Sequence, residues 1–301
     1  MTETITTSTP ALSPKATRKY TAKRPLTLLL AILFFIAAAL PVILIAQPVA
    51  VVNSEAPIVS SEPETEEMLS VSDKIDMLAT TIETACYSDG TKGMHELFLY
   101  GTWTVFICII VSSLIMGSEF LMLFLSAKLE SFTRTCLLAA GTITAITASA
   151  IFIVMHIYSS VVIIGEFGKI TAQNLEAAAE NQKITETLTY LLRNLAVAAA
   201  LVFYTYRFAM FTFSSDNQKL SLKKLSKLTK NYKSACVAVA LVCCFFASTI
   251  ALTWTFDLAA KTLLWMLVIG AVVFFTLTAF LHSYSKYVKK LHAHIQIQEN
   301  P

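Results

Sequence analysis

Charge is what this sequence has least of. Only 14% of its 301 residues are Asp, Glu, Lys or Arg, where a soluble domain carries about 25%. A chain this long needs more charge than that to cover a water-facing surface, so the deficit excludes an ordinary soluble domain and points to lipid as the solvent. Glycine and proline are sparse as well, and neither occurs between Lys169 and Ile269. The six cysteines include no CxxC pair and no Cys/His spacing suited to zinc, which argues against a disulfide framework or a structural zinc site. HExxH, GxSxG and P-loop motifs are missing, as is a pair of aspartates within the apolar runs. The sequence therefore gives no cofactor and no enzymatic motif, and the reading is of a protein that is not an enzyme.

What is present is apolar sequence in long runs. Hydrophobic residues make up 55% of the chain and the mean hydropathy is +0.65. A helix crosses a bilayer with roughly 20 apolar residues, and six runs qualify: about 25–46, 97–125, 136–165, 189–213, 235–256 and 262–282. The expected fold is all-α, a polytopic membrane protein with a bundle of six transmembrane helices and one amphipathic helix in its outer loop. The first run is longer than the 7–15 apolar residues of a secretory signal and reads as an uncleaved anchor, with a cleaved signal as the competing reading. The last two runs are separated only by Asp257 to Lys261, so they must be antiparallel neighbours.

The hydrophilic segments differ in character. Residues 1–24 are basic and rich in Thr and Ser, which predicts a disordered tail. Residues 47–96 form the largest hydrophilic piece, with Pro48, Pro57 and Pro63 at its start. Behind them Met68, Val71, Ile75, Leu78, Ile82 and Ala85 are spaced 3, 4, 3, 4, 3, a heptad-like stripe that predicts a helix over about 65–88 stopped near Gly90. Such a stripe packs either on the protein's own surface or, through residues 66–88, on a second copy or a protein partner. Residues 214–234 are strongly basic, with Leu222, Leu225 and Leu228 between the lysines and Ser215 and Gln218 at capping-box spacing. They predict a short helix lying on the membrane, with Lys219, Lys223, Lys224, Lys227 and Lys230 on anionic headgroups. Without interleaved aromatics, nothing there favours nucleic acid. Residues 291–301 are a C-terminal tail.

Charge asymmetry orients the chain. Seventeen of the 23 Lys and Arg residues fall on the side of the N-terminal tail, the 126–135 and 214–234 segments and the C-terminus. Short loops rich in Lys and Arg stay cytoplasmic, which places both termini inside and makes the cell membrane the expected location. Trp103, Trp254 and Trp265 fall near outer ends and Tyr284 and Tyr287 near an inner one, as boundary aromatics do.

Polar groups inside apolar runs are the functional candidates, because lipid makes them costly. Glu119 and Arg207 lie at matching depths in the second and fourth runs; they form a pair or serve ion movement. In the third run Thr142, Ser149 and His156 fall seven apart on one face, extended by Ala145 and Ser160. That stripe is either a tight packing surface, joined by Ser113 and Gly117 of the second run, or the lining of a proton or solute path. Cys86, the one cysteine in a long hydrophilic loop, is a candidate for an intermolecular disulfide. Two functions follow: a subunit, scaffold or assembly factor that binds a partner through the outer loop, and a small transporter or ion conductor using the second to fourth spans.

Overall fold

The computed structural model describes residues 25–46, 69–86, 95–125, 131–173, 178–215, 222–252 and 258–299. The expected disordered tail, the proline-punctuated stretch, Met68, Gly90, Lys128, Gln218, Lys219 and Trp254 lie outside them. The described residues form seven helices: α1 (Pro25–Ala46), α2 (Val71–Cys86), α3 (His95–Leu125), α4 (Ser131–Gln173), α5 (Ala178–Ser215), α6 (Leu222–Leu252) and α7 (Leu258–Glu299). All except α2 are long and apolar enough to cross a membrane.

Each long helix packs on the next in sequence from α3 to α7, and α1 closes the circuit by packing on both α7 and α3. At one end of the bundle the seam is aromatic. Phe120 stacks on Phe34 at 5.7 Å and meets Phe280 edge-on at 5.6 Å. Tyr204 stacks on Phe208 and meets Phe274 edge-on at 5.3 Å. Offset and edge-on pairs bring quadrupole attraction as well as packing. Helices come closest where glycine leaves room for a neighbour. Gly117 lies beneath the Phe35 ring of α1, about 3.2 Å from where a Cβ would sit, and Ser113 one turn earlier is buried. The small residues of the second run therefore pack on the first.

Several helices run past the apolar spans read from the sequence, and one physical cause is shared. The basic 214–234 segment is not a separate helix over its described residues: from Leu222 onward it is the first part of α6, which runs unbroken to Leu252. With no glycine or proline to interrupt it, nothing stops hydrogen bonding at the polar–apolar border. For the same reason α5 begins at Ala178, ahead of its apolar run, as the lack of a breaker after Lys169 implies, and α7 continues to Glu299, past the end of its run at 282. At 1.5 Å per residue the 42 residues of α7 span about 63 Å, twice a hydrocarbon core of about 30 Å.

The extensions of α6 and α7 pack antiparallel. Gly270 faces Cys243, whose sulfur would lie 3.6 Å from an added Cβ; Tyr232, Cys236, Leu277 and Leu281 share one buried cluster, and Leu225 and Val288 are buried as well. Of the leucine stripe at the start of α6, Leu225 is buried and Leu228 partly so. Lys223, Lys224, Lys227 and Lys230 are exposed, and so are Lys286, Lys289 and Lys290 of α7.

Candidate functional site

The opposite end of the bundle carries α2, which lies on α3, α7 and α1. Its start is a capping box formed by Ser70 and Asp73. The Asp73 amide donates to Ser70 Oγ at 3.2 Å, and the Ser70 amide donates back to Asp73 Oδ2 at 3.0 Å. Leu69 and Ser70 are not helical, so the helix begins at Val71 rather than near 65, and the buried apolar face is Ile75, Leu78, Ala79, Ile82 and Cys86. It packs on Phe98, Phe106 and Met155. Val71 and Ala85, which a strict 3.5-residue repeat puts on the stripe, are not in that core; a straight helix drifts by about 20° per heptad and brings Cys86 round instead. The stripe is therefore spent on the protein's own helices. Burying Ile75, Leu78 and Ile82 contributes about 1.5–3 kcal/mol each before ordering costs.

Polar contacts fasten both ends of this face. His95, the first residue of α3, approaches Asp76 Oδ1 with Nε2 at 2.8 Å and Glu83 Oε2 with Nδ1 at 3.2 Å. Each ring nitrogen faces a carboxylate oxygen, an arrangement that a ring carrying both N–H groups satisfies at once. Asp76 and Glu83 are two turns apart on one face, the spacing that lets a single ring bridge them. The Asp76 arm is half exposed and weak; the Glu83 arm is the stronger, since its side chain is 10% exposed. Replacing His95 with alanine is expected to raise amide hydrogen exchange across residues 71–86 at least tenfold, with the bundle helices unaffected; Thr84→Ala, on the exposed face, leaves exchange unchanged.

At the other end, the last carbonyls of a helix need partners from outside it. Asn194, fully buried on α5, donates from Nδ2 to the Cys86 carbonyl at 2.9 Å. That bond fixes which way the amide points, and its Oδ1 then lies 3.1 Å from His156 Nδ1. An amide oxygen accepts, so Nδ1 carries a proton and donates. Cys86 Sγ lies 3.6 Å from the same nitrogen. A cysteine, a histidine and an asparagine in contact invite comparison with a thiol nucleophile, and the geometry does not support it. A relay needs the thiol on one ring nitrogen and the orienting group on the other, whereas here Nδ1 faces both. Burial also pushes the Cys86 thiol up to about 12, against the opposing pull of Arg193 and Ser159, so the thiolate a nucleophile requires is suppressed. With 1% of its surface exposed, Cys86 is not placed to bridge to a second copy either.

The remaining candidates are distributed along the bundle. Thr142 and Ser149 each return a hydrogen bond to their own helix, to Leu138 O at 2.7 Å and Ala145 O at 3.0 Å. Ser160 does the same to His156 O at 2.8 Å. Thr142 is fourteen residues from His156, about 21 Å along α4. Glu119 is buried on α3. Arg207 on α5 sets its guanidinium over the rings of Phe203 and Tyr206, at 5.2 and 5.5 Å. The helices carrying these two flank α4 on either side. Among the described residues no cluster of His, Cys, Asp and Glu is arranged to hold a metal ion. Asn194 and its neighbour Arg193 were missed as site residues. The available signal was an amide and a guanidinium side by side only nine residues into the helical span that begins at Ile184.

Six apolar helices of spanning length define the class: this is a multi-pass integral membrane protein. No family model matches the chain, and no curated protein or solved structure is similar to it.

Proposed function

We propose that the protein is a non-enzymatic membrane subunit, scaffold or assembly factor whose α2 end presents a fixed surface to a protein partner. One observation carries this: the polar side chains around α2 are used to clamp that helix to α3, α4 and α5 rather than to line a path. The hydroxyls of the α4 stripe are likewise bonded to their own backbone, which favours packing over conduction by the second to fourth spans. With its apolar face buried, α2 offers outward Ser72, Asp73, Thr80 and Thr84, so the contact with a partner is polar.

In this reading α2 faces the outside and both termini the cytoplasm, because the exposed lysines of α6 and α7 stand at the other end and short basic segments are retained inside. Lys223, Lys224, Lys227 and Lys230 contact anionic lipid of the inner leaflet from the sides of an upright helix pair, at roughly 1 kcal/mol each near the surface. The experiment is photo-cross-linking in native membranes from Thr80 and Thr84. A partner, or a second copy, recovered reproducibly from both positions is the expected result. A chain that stays alone while a control probe at Leu192, on the lipid-facing side of α5, gives the same background would sink the reading.

A further inference from the structure

Arg193 is a charged side chain beside the Cys86–His156–Asn194 cluster. It lies on α5 between Leu192 and Leu195, both exposed on the bundle's outer surface, and its guanidinium carbon is 4.5 Å from the Tyr190 ring centre and 5.6 Å from that of Phe246 on α6. The two rings engage the faces of the guanidinium. They do nothing for the N–H groups in its plane. Nε and Nη2 are buried and have no hydrogen-bond partner among the described residues. These two N–H groups point in parallel along one edge of the guanidinium, the edge that grips a carboxylate or phosphate with two bonds at once. Glu83, the buried acid of α2, is engaged by His95 instead. A partly buried cation whose covered fork edge is unmatched is a costly arrangement in a membrane span.

We propose that Arg193 is an anion-binding residue, holding the carboxylate or phosphate of a ligand side-on by Nε–H and Nη2–H in the seam between α5 and α6. Both nitrogens are covered by neighbouring side chains, so the acceptor reaches them as those side chains turn aside. The exposed flank at Leu192 and Leu195 puts the entrance on the membrane-facing side. The oxyanion is either a lipid headgroup or a free small anion, and the chemistry of the fork is the same for both.

The test uses the full chain, purified in neutral detergent with ionic strength held by chloride, and compares wild type, Arg193→Gln and Arg193→Lys. Melting is followed with inorganic phosphate or acetate added, and again in nanodiscs of neutral lipid with and without phosphatidylglycerol. The expected result is a rise of several degrees in wild type that Arg193→Gln does not show. A response to phosphate or acetate in detergent identifies a free anion; a response to phosphatidylglycerol alone identifies a headgroup. Lipid bound at the lysine-rich end is common to all three proteins and cancels in the comparison. If Arg193→Gln does not fold, Arg193→Lys carries the test, because it keeps the charge and lacks the parallel pair of donors; at least a tenfold loss of apparent affinity is expected. Equal shifts in wild type and both variants, or no shift in wild type in either medium, overturn the proposal.

Discussion

Asn194→Leu is expected to be the most damaging single polar-to-apolar exchange in the described part of the chain. The side chain is fully buried and makes two bonds, one to the Cys86 carbonyl at 2.9 Å and one from His156 at 3.1 Å. Leucine fills a similar volume and makes neither. A helix-terminal carbonyl and a ring N–H are then left buried without partners, at about 1–3 kcal/mol each, or about 2–6 kcal/mol together. Thr142→Val and Ser149→Ala serve as controls: each removes a bond to its own helix, orphans no group on another helix, and should cost under about 1 kcal/mol. Unfolding of the purified protein with a graded denaturing detergent measures all three. If Asn194→Leu falls within the range of the controls, the clamp on α2 contributes nothing to stability.

The second large effect is steric. A Cβ added at Gly141 on α4 would sit 2.8 Å from Cγ2 and 3.3 Å from Cβ of Ile115 on α3. Ile115 cannot readily turn away, since a β-branched side chain in a helix has one strongly preferred rotamer. Gly141→Ala therefore forces α3 and α4 apart, at about 1–3 kcal/mol, and Gly141→Leu costs more. Gly165, on the same helix, has nothing within 4 Å of the corresponding position. Gly165→Ala should be neutral or stabilising by up to about 1 kcal/mol, because alanine is the better helix former. Opposite signs for the two alanine variants in the same unfolding assay are the expected result. A common sign would show that helix propensity rather than the α3–α4 contact governs both.

Much of this architecture was legible in the sequence, because lipid imposes a simple rule: a spanning helix must be apolar along its length. Six such runs were plain. The ends were not, since the rule says nothing about where a helix stops once it leaves the hydrocarbon. The lysines of residues 214–234 read as a surface segment, and only the lack of any breaker between Lys219 and Trp254 hinted that α6 continues through them. The apolar face of α2 was legible at Ile75, Leu78 and Ile82 and misread by one residue at its end, where Cys86 displaces Ala85. The site itself was legible only in pieces. His156 and Cys86 were singled out for separate reasons, 70 residues apart, and no local pattern joins them. Asn194, which does join them, is uncharged and lies off any periodic stripe, so it gave no signal of its own.

The bond between Asn194 and Cys86 crosses 108 positions of sequence, and this gives the fold a timetable. A ribosome adds about 5–20 residues per second, so α2 waits about 5–20 s after its own synthesis before the residue that caps it exists. Through that interval Ile75, Leu78 and Ile82 have only part of their final seat, because α7, which also packs on this face, follows α5 in the chain. A helper that shields this face during synthesis would act on the nascent chain between the emergence of α3 and that of α7.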